Sequence, residues 1–122
     1  MRVRGHILIV EDDVAVCEGL ALALAAHGFI VATASDADEA LKRAAAEAPD
    51  VVICDWQLGH DVLDGVDVAQ RIAVAADSDL KPDIIMVTAR DLLELKSRAA
   101  GLPIKAFLRK PVRLSSILEL LA

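Results

Sequence analysis

Aromatic residues are scarce in this chain, which has two Phe, one Trp and no Tyr among 122 residues. Hydrophobic residues still make up 56% of the sequence, so the core has to be built from aliphatic side chains. This apolar content argues against a disordered chain. The length fits one domain with one sizeable core, and we expect residues 1–122 to form a single domain without an effector domain.

Disulfides, membrane spans and a basic surface are also missing. The two cysteines, Cys17 and Cys54, lie far apart and form no metal-binding pattern, which predicts buried thiols in a reducing cytoplasm. The apolar run at residues 7–10 is too short for a signal peptide or a membrane span. The net charge of −6 argues against direct binding to nucleic acid or to an anionic membrane.

Short apolar segments alternate with longer helical segments along the chain. The short ones are rich in β-branched residues and predict strands buried on both faces: His6–Val10, Phe29–Ala34, Val51–Cys54, Ile84–Val87 and Ala106–Leu108. The longer ones predict helices: Val14–His27, Ala37–Ala48, Gly65–Ala76, Leu92–Ala100 and Leu114–Leu121. Five such βα units indicate a doubly wound α/β domain.

Local signals support these helix boundaries. Asp36 is a candidate N-cap, and Glu39 is placed to close a capping box with it. Gly28 follows the first helix as a C-terminal glycine would. Asp13 is placed to cap the start of the first helix.

Polar residues follow the predicted strands. Glu11 and Asp12 come after the first strand, Asp55 after the third, Thr88 after the fourth and Lys110 after the fifth. Because sites in open α/β sheets gather at the carboxyl ends of the strands, these side chains should converge. Crowded carboxylates repel each other without a cation, and oxygen ligands suit Mg²⁺. A carboxylate can also accept a phosphoryl group, with neutralisation by the metal, Lys110 and the Thr88 hydroxyl.

Five sequence segments stand at the ends of the predicted strands or before a predicted helix: ILIVEDD (7–13), VVICDWQLG (51–59), DG (64–65), MVTA (86–89) and FLRKP (107–111). Together they resemble the receiver domains of response regulators. The LG at 58–59 and the LP at 102–103 resemble receivers attached to hybrid histidine kinases. The resemblance implies a flavodoxin-like (βα)5 fold with a parallel sheet in the order 2-1-3-4-5. It also implies a phosphoacceptor domain of a two-component phosphorelay, which catalyses only its own phosphorylation and dephosphorylation.

The resemblance assigns a role to each matching residue. Asp55 would accept the phosphoryl group, and Mg²⁺ or Mn²⁺ would bind to Glu11, Asp12, Asp55 and the backbone carbonyl of Gln57. Thr88 and Lys110 would contact the phosphoryl group, and the residues implied in the conformational switch are Thr88 and Phe107. The implied partner is a sensor histidine kinase or a histidine phosphotransfer protein, and the fourth helix, fifth strand and fifth helix would form a homodimer surface.

The sequence departs from the family in three places. Gly59 stands where the family often has Pro, and the loop Trp56–Leu63 looks about two residues longer than usual. The segment 101–104 is unusual, and the fourth helix is predicted to be short. These changes alter the loop geometry and the partner surface but leave the phosphorylation residues unchanged. Trp56 follows Asp55 and is expected near the site, partly exposed to solvent.

Three other functions remain as alternatives. The first is a degenerate receiver that only binds proteins. The second is a metal-dependent phosphatase of the haloacid-dehalogenase type, which would carry a second acid where this chain has Gln57. The third is a flavodoxin-like flavin carrier, which needs a hydroxyl- and glycine-rich phosphate loop where this chain has three acids.

Overall fold

The computed structural model describes residues 5–59, 62–76 and 81–122. Strands and helices alternate along these residues in five βα units. The elements are β1 (His6–Val10), α1 (Val14–Ala26), β2 (Ile30–Ala34), α2 (Ala37–Glu47), β3 (Val51–Asp55), α3 (Gly65–Ala75), β4 (Asp83–Thr88), α4 (Leu92–Arg98), β5 (Ile104–Arg109) and α5 (Leu114–Leu121). The loop Trp56–Leu63, which the sequence predicts to be longer than usual, lies partly outside the described residues.

The five strands form one parallel sheet in the order β2-β1-β3-β4-β5, which confirms the predicted fold class. In the centre of the sheet, Val10 pairs with Ala34 of β2 and with Cys54 of β3. The predicted bounds of β1 are confirmed, and those of the other four strands are wrong by one or two residues. The difference is largest at the start of β5, where Ile84 pairs with Ile104, two residues before the predicted start at Ala106.

Two aliphatic clusters cover the two faces of the sheet, because alternate strand residues point to opposite faces. Leu8, Val52 and Met86 belong to the cluster that packs against α2, α3 and α4. Ile9 and Ile53 belong to the cluster that packs against α1 and α5. The core is thus built mainly from aliphatic side chains, as the composition predicts.

Aspartates are the N-cap residues of four helices, α1, α2, α3 and α4. Asp13 accepts a hydrogen bond from the Val16 N–H, as predicted for the N-cap of α1. Asp36 caps α2 through the Glu39 N–H, but the predicted capping box with Glu39 is wrong, because the reciprocal bond is not formed. A reciprocal capping box forms at α3 instead, between Asp64 and Asp67.

Three further predictions are confirmed in the described part of the chain: the glycine after α1, the short fourth helix and the buried cysteines. Gly28 has a φ of +91° directly after His27, the C-cap of α1, and this backbone conformation favours glycine. Helix α4 is short, with seven residues. Cys17 and Cys54 are both buried, and burial raises the pKa of each thiol. None of the described helices has the length and apolar character that crossing a membrane requires.

Candidate active site

The carboxyl ends of four strands bring together the polar residues identified in the sequence. Glu11 follows β1 directly, Asp55 is the last residue of β3 and Thr88 is the last residue of β4. Lys110 follows β5, and its N–H donates to the Thr88 carbonyl at 2.8 Å. The parallel register therefore places side chains from distant parts of the sequence at one edge of the sheet.

Three carboxylates form the centre of this site. One oxygen each from Glu11, Asp12 and Asp55 lies within 4.8 Å of the other two. Glu11 and Asp55 are each only 5% exposed, whereas Asp12 is open to solvent. An oxygen-only set with one solvent-facing member fits a hard divalent cation that keeps several of its water ligands.

Lys110 supplies the positive charge among these acids. Its Nζ lies 2.9 and 2.8 Å from the two Glu11 carboxylate oxygens and 2.8 Å from Asp55 Oδ2. Burial disfavours the charged ammonium, but hydrogen bonds to Asp55 and Glu11 outweigh burial and raise the pKa of Lys110. The lysine is therefore held as a cation between two carboxylates.

The single positive charge of Lys110 does not balance the negative charges of the three carboxylates. Burial raises the pKa of Glu11 to about 7, the Lys110 hydrogen bond opposes this rise, and the nearby Asp55 carboxylate adds to it. Two buried carboxylates share one lysine, and Asp12 brings a third negative charge to the same space. The electrostatics of the site thus favour an additional cation.

The backbone around Asp55 is fixed by close packing. The Gln57 N–H donates to Asp55 Oδ1 at 3.3 Å, and the Trp56 N–H donates to the Val87 carbonyl. A Cβ on Gly65 would overlap the Asp55 carbonyl oxygen and lie 2.9 Å from Trp56 Cα. Only glycine therefore lets the start of α3 pack this closely against the backbone of Asp55 and Trp56.

Thr88 and Phe107, the two residues implied in the switch, lie on neighbouring strands. Thr88 is fully buried, and its Oγ1 accepts a hydrogen bond from the Arg90 N–H at 2.8 Å. Phe107 is half-buried and packs against the cluster that contains Met86, its partner in the β4–β5 ladder. A movement of the Thr88 hydroxyl toward Asp55 would have to break the bond to Arg90.

Trp56 is buried, so the expectation that it is partly exposed is wrong. Its side chain is enclosed by the apolar cluster of α3, and its Nε1–H donates to Asp64 Oδ2 at 3.1 Å. Asp64 and Asp67 in turn contact Arg98 of α4, with N···O distances of 3.4 and 2.9 Å. Sequence reasoning missed this connection; the Asp64-Gly65 pair before a helical segment was the one available signal.

Comparisons with known proteins agree with this geometry. The family model for the response regulator receiver domain matches residues 7–122. The chain is 39% identical over 115 residues to the response regulator MprA of Mycolicibacterium vanbaalenii and 38% identical to that of Mycobacterium tuberculosis, in each case over 93% of this chain. It covers 47% of those relatives, so the chain spans about half their length.

Solved structures show the same fold. A CheY-like receiver domain protein from Methanospirillum hungatei superposes with a TM-score of 0.83 at 26% identity, over 93% of this chain and 87% of that one. A Burkholderia pseudomallei response regulator, solved with a phosphorylated aspartic acid and a calcium ion, gives a TM-score of 0.80 at 29% identity, over 96% and 66%. The chain therefore belongs to the response regulator receiver domain family of two-component systems.

Proposed function

We propose that the domain accepts a phosphoryl group on Asp55 in a reaction that depends on Mg²⁺ or Mn²⁺. The observation that carries the proposal is the position of Lys110 Nζ, 2.8 Å from Asp55 Oδ2, where Asp55 also belongs to the acidic cluster with Glu11 and Asp12. This arrangement supports the proposal because Asp55 is in contact with one cation and forms part of a candidate site for a second. Phosphoryl transfer depends on such charge neutralisation and positioning.

Each group has a defined task in this proposal. Glu11, Asp12 and Asp55 would hold the metal, together with the Gln57 backbone carbonyl. The metal would neutralise charge on the phosphoryl oxygens. An Asp55 oxygen forms a bond to phosphorus while the bond between phosphorus and the donor atom breaks, and Lys110 then shifts its hydrogen bonds to a phosphoryl oxygen.

The proposed donor is a phosphohistidine of a sensor histidine kinase or a histidine phosphotransfer protein. A cleft of about 570 Å³ runs from Asp55 and Lys110 along α1 to the connection between β5 and α5. The nearby first turn of α1 exposes Val14 and Val16, which are 65% and 47% accessible. This open, apolar rim gives a donor protein a surface on which to bring its histidine to the acceptor.

The proposed output is a change in the surface formed by α4, β5 and α5, which is also the candidate homodimer surface. A phosphoryl group adds about −1.5 to −2 charges and strong acceptor oxygens beside Thr88. The Thr88 hydroxyl would leave the Arg90 N–H for these oxygens, and Phe107 would then fill space beside β4. Phosphorylation shifts this equilibrium only through its different contacts in the two states.

Intact mass spectrometry after incubation with Mg²⁺ and acetyl phosphate tests the proposal. The parent should gain one phosphoryl mass, and Asp55→Asn should gain none. Asp13→Asn is the matched control, because Asp13 is a neighbouring acid that caps α1 instead of joining the cluster. A parent that never gains mass would favour the degenerate receiver.

A further inference from the structure

The three acids of the candidate metal site are not held equally. Lys110 donates hydrogen bonds to Glu11 and to Asp55. No hydrogen bond to the Asp12 carboxylate forms within residues 5–59, 62–76 and 81–122, and Asp12 lies at the exposed end of β1. The position of the Asp12 oxygens therefore depends on the shape of the backbone around them.

Gly59 provides the backbone surface beside Asp12. Its φ is +65°, in the left-handed region, and a Cβ built on it would lie 3.0 Å from Asp12 Oδ2 and 3.9 Å from Asp12 Cγ. Ordinary C···O contacts begin at about 3.3 Å, so with a side chain here the Asp12 carboxylate would have to shift by a few tenths of an ångström. Glycine thus suits this position in two respects, the backbone conformation and the space that it leaves for the Asp12 oxygen.

The proline that the family often has at this position cannot occupy this backbone. Proline fixes φ near −65°, whereas Gly59 has a φ of +65°. The backbone at residue 59 therefore has a conformation that excludes proline, and this residue lies beside Asp12.

We propose that Gly59 is a positioning residue for the metal ligand Asp12. Without a side chain at residue 59, an Asp12 oxygen stays within 4.8 Å of the Glu11 and Asp55 oxygens, as binding one cation requires. The proposal rests on the metal dependence proposed above. It adds that glycine at residue 59, where the family often has proline, helps to set the affinity for the metal.

Isothermal titration with MgCl₂ tests this role in the unphosphorylated protein. Gly59→Ala should weaken Mg²⁺ binding by roughly ten-fold, as changes to residues that support a metal ligand commonly do. Gly28→Ala is the matched control, because Gly28 has a φ of +91° with nothing within 4 Å of the added Cβ. It should lower the Tm through the same kind of backbone strain and keep the parent's Kd for Mg²⁺.

Further variants separate the possible outcomes. Asparagine tolerates positive φ better than alanine, so Gly59→Asn keeps the contact with less strain and should also weaken Mg²⁺ binding. In an Asp12→Ala background, Gly59→Ala should cause no additional loss. Parent-like affinity of both Gly59 variants, with a loss in Asp12→Ala, would overturn the role of Gly59 and leave the metal site standing. A parent that binds no Mg²⁺ would overturn both.

Discussion

The Trp56 indole N–H donates to Asp64 at 3.1 Å and so links the residue after the proposed acceptor to the first residue of the α3 capping box. Arg98 of α4 contacts the same aspartate at 3.4 Å. Asp64 therefore connects Trp56 with the start of α3 and with α4.

Replacing Asp64 should cost more stability than replacing an ordinary helix cap. Asp64→Ala removes an N-cap worth about 1 kcal/mol and the bond from Trp56 worth about 1 kcal/mol, so the free energy of unfolding should fall by roughly 2 kcal/mol. The matched control is Asp36→Ala, which removes an N-cap with no aromatic donor and should cost about 1 kcal/mol. Urea unfolding measures both, and equal losses would contradict the role of Trp56.

The capping box at α3 should make stability depend on pH in the acid range. The Asp64 N–H, and beyond it Arg98, hold the pKa of Asp67 below its ordinary value of 3.8, while burial opposes the shift. A carboxyl with a depressed folded pKa contributes stability that is present above its unfolded pKa and lost as pH falls through its folded pKa. The stability difference between parent and Asp67→Asn should therefore be constant above about pH 5 and shrink below pH 3.8.

The Arg98→Gln background provides the control for this titration. The backbone bond from Asp64 remains there, so the Asp67 contribution should become smaller without disappearing. Urea unfolding at each pH gives the values. A difference that grows on acidification would show that Asp67 is not stabilised as an anion.

Removing one acid should stabilise the metal-free protein. Glu11→Gln keeps an acceptor for Lys110 but lowers the repulsion with Asp55, so we expect the Tm in EDTA to rise by roughly 5 °C. Added Mg²⁺ should then raise the Tm of the parent and have little effect on the variant. Asp13→Asn, which changes an acid outside the cluster, should show no gain in EDTA. A lower Tm for Glu11→Gln would indicate that Glu11 is well compensated.

Removing the lysine should have the opposite effect. Lys110→Ala leaves Glu11 and Asp55 without their shared partner and should cost about 3 kcal/mol in metal-free protein. Mg²⁺ should restore more stability to this variant than to the parent. Lys105→Ala, near the start of β5, loses two hydrogen bonds that are more exposed to solvent than those of Lys110, and it should cost about 1 kcal/mol. Equal effects of the two changes in urea unfolding would remove the special role of Lys110.

A methyl group on Gly65 should disturb the backbone of Asp55 and Trp56 directly. Gly65→Ala sets a Cβ against the Asp55 carbonyl oxygen and should cost at least about 2 kcal/mol. Gly19→Ala is the matched control, because Gly19 lies inside α1 with nothing within 4 Å of the added Cβ. It should gain about 0.5–1 kcal/mol from the lower entropy of the unfolded chain. A tolerated Gly65→Ala would show that α3 can move away from Asp55.

The sequence was sufficient for the fold class and for the residues gathered at the sheet edge. Alternating apolar and helical segments predict five βα units, and a parallel sheet necessarily brings the ends of its strands together. Asp55, Glu11 and Lys110 could therefore be selected from their places after apolar strands, although they lie up to 99 residues apart. The apolar pattern of a strand is a local property, which explains why the strands can be recognised in the sequence, although their ends are predicted only to within one or two residues.

Only the tertiary structure decided which contacts these residues make. The capping box lies at Asp64 and not at Asp36, Trp56 is buried, and Gly59 lies beside Asp12. The burial of Trp56 and the position of Gly59 depend on distances between elements that are distant in sequence or on the path of a loop, and the capping box depends on which side-chain conformations packing selects. Cap preferences and composition carry no information about such distances, because several residues of similar propensity compete for each contact and packing selects among them.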